Sequence, residues 1–296
     1  MAVLLAALSA VTFGIGDFFG GLSARRIAAQ LTTAVAQATG LVLIVVVALV
    51  VGGSPGPGDL GLGVAAGLSG GVALVLFYWA MAQGPMSVVA PVSAVMSALV
   101  PISAGVIDGE RPSALAVVGI VLALPAIVLI SREPTNDEAI RTDVAVERST
   151  HLQAPRWLAR VGGLPVVAAT LAGVGFGMFF TFLSHTSHDS GLWPIAAARS
   201  AAIVLAVVVV ASTRAGRPHW DGAKLAMLAG CLDATGNSLY LLASRQGLLT
   251  LVGVIGAMYP ASTVVLARVV LQERLARHQL IGLGIAAGAV ALIAVA

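Results

Sequence analysis

Charge is scarce in this chain of 296 residues: 10% are Asp, Glu, Lys or Arg, against 58% hydrophobic, and mean hydropathy is +1.00. Soluble domains carry about 25% charged residues, so the composition excludes an ordinary water-soluble fold. The net charge of +3 comes mostly from arginines in the breaks between apolar runs. It forms no basic stripe, which argues against a nucleic-acid partner. One cysteine, Cys231, lies inside an apolar run; that excludes a disulfide framework and a thiol pair for a metal. There is no His-Glu-x-x-His, P-loop or Ser/His/Asp pattern, so neither an enzyme nor a cofactor has a basis in the sequence. The first 24 residues lack a basic n-region and form too long a run for a signal peptide, so they read as a membrane span.

What the chain has is long apolar runs. Segments of about 20 residues are the mark of spanning helices, and ten occur: 2–24, 31–52, 60–82, 86–107, 113–131, 163–184, 193–213, 222–244, 248–270 and 276–295. Short Gly/Pro/charge breaks such as "GGSPGPGD" and "DGERP" separate most of them. The segment 132–160 differs, holding five acids and five arginines. It reads as a solvated linker within 132–162, between a first unit 1–131 and a second unit 163–296.

The two units repeat. A shift of 163 places Phe13-Gly14 on Phe176-Gly177, Gln83-Gly84 on Gln246-Gly247 and Glu110-Arg111 on Glu273-Arg274, with no gap. Five helices per unit is odd, so the second unit must enter the membrane from the opposite face. The expected fold is therefore all-α integral membrane: ten transmembrane helices as two inverted-topology five-helix repeats, an architecture used for alternating access. With "AMAQGPMSVVAPVSAVMSALVPISAGVIDGERP" closing one unit and "ASRQGLLTLVGVIGAMYPASTVVLARVVLQERL" the other, the chain resembles the drug/metabolite transporter superfamily, more narrowly its EamA-like members. The resemblance covers nearly everything but the linker. It implies a multi-pass carrier of a small metabolite or drug in the cell (plasma or inner) membrane. It does not name the cargo. The fourth helix carries the family's prolines, Pro91 and Pro101; the ninth departs with Pro260 alone.

Three charges lie well inside spans: Asp17, Arg199 and Asp233. Such groups are costly in lipid and mark function or a partner. At 1.5 Å per helical residue, Arg199 and Asp233 differ in depth by about 5 Å and Arg199 and Asp17 by about 8 Å, so Arg199–Asp233 is the expected ion pair. A purely structural bridge is the alternative. Against it, the repeat counterparts of Asp17, Asp233 and Arg199 are Phe180, Gly70 and Ala36. The scaffold repeats and the charges do not, as a single cargo site would require. Asp233, Asn237, Tyr240 and Ser244 share one helical face, which has to look at protein or at a water-filled cavity. Gln37 and Thr33 on the second helix and Ser93 and Ser97 on the fourth are weaker cargo contacts, and Tyr259 reads as a gate or cargo contact. Asp233 is the first choice for coupling. A carboxylate taken out of water favours its protonated form, so proton-coupled export is the working expectation, with a small molecule, protons and lipid as partners and a homodimer as an admissible assembly.

Other features read more blandly. Tyr78, Trp79, Trp193 and Trp220 sit near span ends as interfacial anchors. His185, His188 and Asp189 in "SHTSHDSG" fit a solvated loop better than a metal site. Two rival functions remain. "GIGD" at 14–17 matches an intramembrane aspartyl protease pattern, with Asp17 and Asp233 as the acids, and a channel would need a continuous polar ring. Basic residues favour one side of the membrane by 13 to two, the two being Arg111 and Arg245. The positive-inside rule then puts both termini outside the cytoplasm, whereas members of the resembled family are usually drawn with cytoplasmic termini.

Overall fold

The computed structural model describes residues 1–83, 86–132, 164–213, 219–272 and 275–296. The linker beyond Arg132, Gly84 of the Gln-Gly pair and Glu273-Arg274 lie outside the described residues. Within them the chain is helical, without strands: α1 (Ala2–Ala24), α2 (Ala29–Val51), α3 (Pro57–Gln83), α4 (Met86–Ile107), α5 (Ala114–Ser131), α6 (Leu164–Ser184), α7 (Trp193–Thr213), α8 (Trp220–Ser244), α9 (Leu249–Gly256), α10 (Pro260–Val270) and α11 (Arg277–Ala294). All ten expected spans are present, because α9 and α10 together make one crossing, Leu249–Val270. Apolar sequence around the whole circumference forms helices here because lipid offers no partner for backbone N–H and C=O groups, so each segment must bond its own. The outward faces are aliphatic, as along Val42, Val46, Leu49 and Val50 of α2.

The ninth span is where the structure departs from an unbroken helix. Proline has no N–H to donate and its ring crowds the preceding turn; at Pro260 the helix stops at Gly256 and restarts, with Tyr259 at the break. Ser262 Oγ donates to the Tyr259 carbonyl at 2.9 Å and to the Ala10 carbonyl at 3.1 Å, and Thr263 Oγ1 to the Gly14 carbonyl at 3.1 Å. Hydroxyls thus tie the broken turn to α1. The fourth helix keeps Pro91 and Pro101 within one continuous element.

Most helix packing runs between the two halves. α1 lies along α8 as α3 lies along α6; α2 meets α8 as α3 meets α7; α4 meets α6 as α1 meets α9 and α10. The pairs α2–α7, α4–α9 and α5–α11 map onto themselves when the halves are exchanged. This pairing is consistent with the inverted repeat, and it means that the halves interlock rather than sit side by side. The closest crossings use glycines at matching repeat positions. A Cβ on Gly67 would overlap the backbone of Ala198 on α7, and one on Gly230 the backbone of Ala36 on α2. Small residues at such seams let helix backbones touch where lipid supplies no hydrophobic drive.

Gly230→Val therefore forces α8 off α2 and lowers stability by about 1–3 kcal/mol, the usual cost of overpacking. Gly284→Val, where an added Cβ meets nothing within 4 Å, changes it by less than about 0.5 kcal/mol. Thermal unfolding in detergent followed by size-exclusion recovery distinguishes the two; equal losses would refute the seam.

Candidate functional site

Arg199 of α7 is a buried charge held from two neighbouring helices. It is 4% exposed, and its Nη2 donates to Asp233 Oδ2 of α8 at 2.5 Å while Nη1 donates to Gln37 Oε1 of α2 at 3.0 Å. Its guanidinium lies against Gly40, where any side chain would overlap it. Asn237, one turn beyond Asp233 on α8, donates Nδ2 to the Asp233 carbonyl at 2.8 Å and to Oδ2 at 3.2 Å. The pair expected from depth is present, and three helices from both halves meet on it.

The two carboxylates are wetter than the guanidinium. Around α8 the outward face runs through Leu228, Thr235 and Leu242, all exposed. Asp233 falls about half a turn away at 3.6 residues per turn, on the buried side, yet its side chain is 46% exposed. Asp17 repeats the pattern on α1. It lies opposite the outward residues Leu4, Leu8 and Val11, on a face buried at Ala6, Ala10 and Phe13, and is itself exposed, as are Gly21 and Ala24 beyond it. Both carboxylates thus have exposed surface on inward faces, and exposed positions continue from Asp17 through Gly21 to Ala24, where α1 stops. The backbones of α1 and α8 come close at this level: a Cβ on Gly16 would sit 3.5 Å from the Asp233 amide nitrogen. The Tyr259 backbone at the ninth-span break lies against Gly14, one turn before Asp17 on α1: a Cβ there would overlap the Tyr259 carbonyl oxygen.

The equivalent place in the other half is filled. Gly16 and Asp17 correspond to Phe179 and Phe180, and Asp233 to Gly70. The Phe179 ring lies over Gly70 and packs edge-on to Phe180 at 5.2 Å. Phe180 in turn packs on Phe13 at 5.8 Å and on Tyr240 at 4.3 Å. Where the α1–α8 contact keeps two carboxylates, the related α6–α3 contact keeps aromatic rings.

The remaining sequence candidates fall elsewhere. Tyr240 shares the Asp233 face of α8 but lies further along it, fully buried against Gly253, Gly256 and Phe180, with no hydrogen bond to its hydroxyl. Ser97 is buried on the α4–α6 seam and donates to the Ala94 carbonyl at 2.8 Å. Thr33 and Ser244 likewise bond their own helices. His185 pairs with Asp108 at 3.0 Å in exposed loops.

A second polar cluster, which the sequence reading missed, ties the opposite end. Asp59 accepts from the Ser187 amide at 2.7 Å and from its hydroxyl at 2.9 Å. Arg245 donates to the carbonyls of Ser187 and Gly191 at 2.7 and 3.0 Å and to Ser190 Oγ at 2.8 Å. Partial burial pulls the Arg245 pKa down, and the nearby Asp59 charge opposes that. Glu110 accepts from the amides of Leu249 and Thr250, capping α9 and joining the halves. The one available signal was that Arg245 is one of only two basic residues in the loops of that face.

Comparison with known proteins adds the following. A family model, the EamA-like transporter family, matches residues 1–132 and 163–295. One solved crystal structure superposes with a TM-score of 0.73 at 16% identity, covering 99% of this chain and 96% of that chain; at that identity it speaks for the fold alone. No curated protein matches.

The unequal exposure of the ion pair predicts unequal costs. Asp233→Ala strands a guanidinium that is 4% exposed and lowers stability by about 3 kcal/mol. Arg199→Met leaves a carboxylate already in contact with the opening and costs about 1 kcal/mol. Melting in detergent reads both; equal losses, or a larger loss for Arg199→Met, would contradict the geometry.

Proposed function

Because the chain belongs to the EamA-like transporter family, we propose that it moves a small metabolite or drug by alternating access through the opening bordered by Asp17, Asp233, Gln37 and Tyr259. It is a multi-pass membrane protein, and the plasma or inner membrane is its proposed location. The observation that carries the reading is a pair of intramembrane carboxylates, each on an inward helix face and each exposed. A closed structural salt bridge has no use for that exposure. Family membership favours a carrier over an intramembrane protease or a channel, and Asp233 is engaged by Arg199 rather than held ready as one half of a catalytic acid pair.

The opening leads to the end with most basic loops, while the ties at Asp59, Arg245 and Glu110 hold the other end together. The positive-inside rule makes the basic end cytoplasmic, so cargo loads from the cytoplasm and leaves when the ties part: export. Inversion of the repeat supplies the second state, in which the α6 side opens as the α1 side now does. Asp233 is the proposed coupling group. A proton there removes the counter-charge of Arg199 and weakens the α7–α8 link, so proton entry and helix rearrangement draw on the same interaction. Asn237 sets the Asp233 carboxylate, and Gln37 holds the guanidinium from α2.

Proteoliposomes screened against a metabolite panel, with and without an imposed pH gradient, test this reading. Gradient-driven accumulation by the wild type falls to the passive level in Asp233→Asn, with protein still folded in the membrane. Undiminished accumulation in that variant would reject the coupling role, and no flux for any compound class would reject the carrier.

A further inference from the structure

We propose, resting on the carrier reading above, that the cargo is a small organic cation of the ammonium type and that Asp17 is its counter-charge. The charge offered to the opening is negative. Asp17 is exposed and has no hydrogen-bond partner among the described residues, and Asp233 is 46% exposed, whereas Arg199 is 4% exposed with both terminal nitrogens already donating. Two carboxylates thus face one covered guanidinium. Arg199 neutralises Asp233, and Asp17 is left over.

An uncommitted acceptor lies in the same cluster, as does the unpartnered Nε of Arg199. Asn237 is 4% exposed, spends its amide nitrogen on Asp233, and leaves its Oδ1 buried without a partner. An N–H donor on the cargo would meet an acceptor there. Tyr259, partly buried and with its backbone against Gly14 one turn before Asp17, adds an aromatic ring, which attracts cations through its negative face. Carboxylate, amide oxygen and aromatic ring together suit an ammonium group.

The other cargo charges fit poorly. An anion would approach Asp17 with no exposed guanidinium to receive it. A neutral cargo would draw no attraction from the Asp17 charge. Arg25, Arg26, Lys224 and Arg268 lie at helix ends and are exposed, where salt in the surrounding water screens them. The repeat-related position cannot serve, because Phe179 and Phe180 fill it.

The test uses the purified whole chain in detergent and a graded set of labelled ammonium cations, from tetramethylammonium to benzyltrimethylammonium. Phenylmethanesulfonate serves as the anionic competitor and neopentylbenzene as the uncharged one. Saturable cation binding is expected that neither competitor displaces. Asp17→Asn should weaken it by about tenfold or more, as loss of one close opposite charge at intermediate dielectric implies, and Asp17→Glu should restore much of it, with all variants eluting as folded protein. Absence of saturable binding across the set, displacement by the sulfonate, or unchanged affinity in Asp17→Asn would overturn the assignment. If anions or neutral compounds alone accumulate in proteoliposomes, the cation assignment falls while the carrier stands.

Discussion

A guanidinium inside an apolar bundle must be satisfied by the protein, and the way Arg199 is satisfied organises the molecule. It binds α8 through Asp233 and α2 through Gln37, so one α7 side chain joins elements of both halves. It can do so only because Gly40 has no side chain in its way and Gly230 lets α8 rest on the α2 backbone. Removing Asp233 leaves a covered guanidinium in a low-dielectric surrounding, so α7 and α8 are held in register at this level. The link joins a covered charge to one that is nearly half exposed. That is a suitable property for the pivot of a device with two states.

Around this link the scaffold is symmetric and the lining is not. Helix contacts interchange when the halves are exchanged, and the glycines of the closest crossings occupy matching positions 67 and 230. The chemistry breaks that symmetry. Asp17 and Asp233 carry exposed carboxylates on inward faces, whereas Phe179, Phe180 and Gly70 make a packed aromatic cluster. Related positions are thus filled differently, carboxylates in one place and rings in the other, and polar ties between loops hold the end near the rings.

The ten spans were legible in the sequence because bilayer thickness fixes their length, and the family because the Phe-Gly, Gln-Gly and Glu-Arg pairs recur at one constant shift. The Arg199–Asp233 pair was legible because helical rise converts residue number into depth. What was not legible depends on rotation and on neighbours. Tyr240 shares the Asp233 face, but that face runs past the opening into packed protein, so the phenol is buried against α9. Ser97 spends its hydroxyl on its own helix, as isolated serines in apolar helices commonly do. The seat that Gly40 makes for Arg199 could not be told from many other glycines, and the bonds from Asp59 and Arg245 to the 186–191 loop join residues far apart in sequence with no motif to connect them.

The central claim is that the inward face of α1 beyond Asp17 is wet and continuous with the basic end of the bundle. In a Cys231→Ser background, Gly21→Cys and Leu8→Cys can be exposed to a charged, membrane-impermeant thiol reagent in sealed vesicles of each orientation. The account predicts that position 21 reacts from the basic side only and that position 8, on the outward face of the same helix, stays inert from both. Position 21 as unreactive as position 8 would mean that the carboxylates look into no aqueous path, and the account would fail.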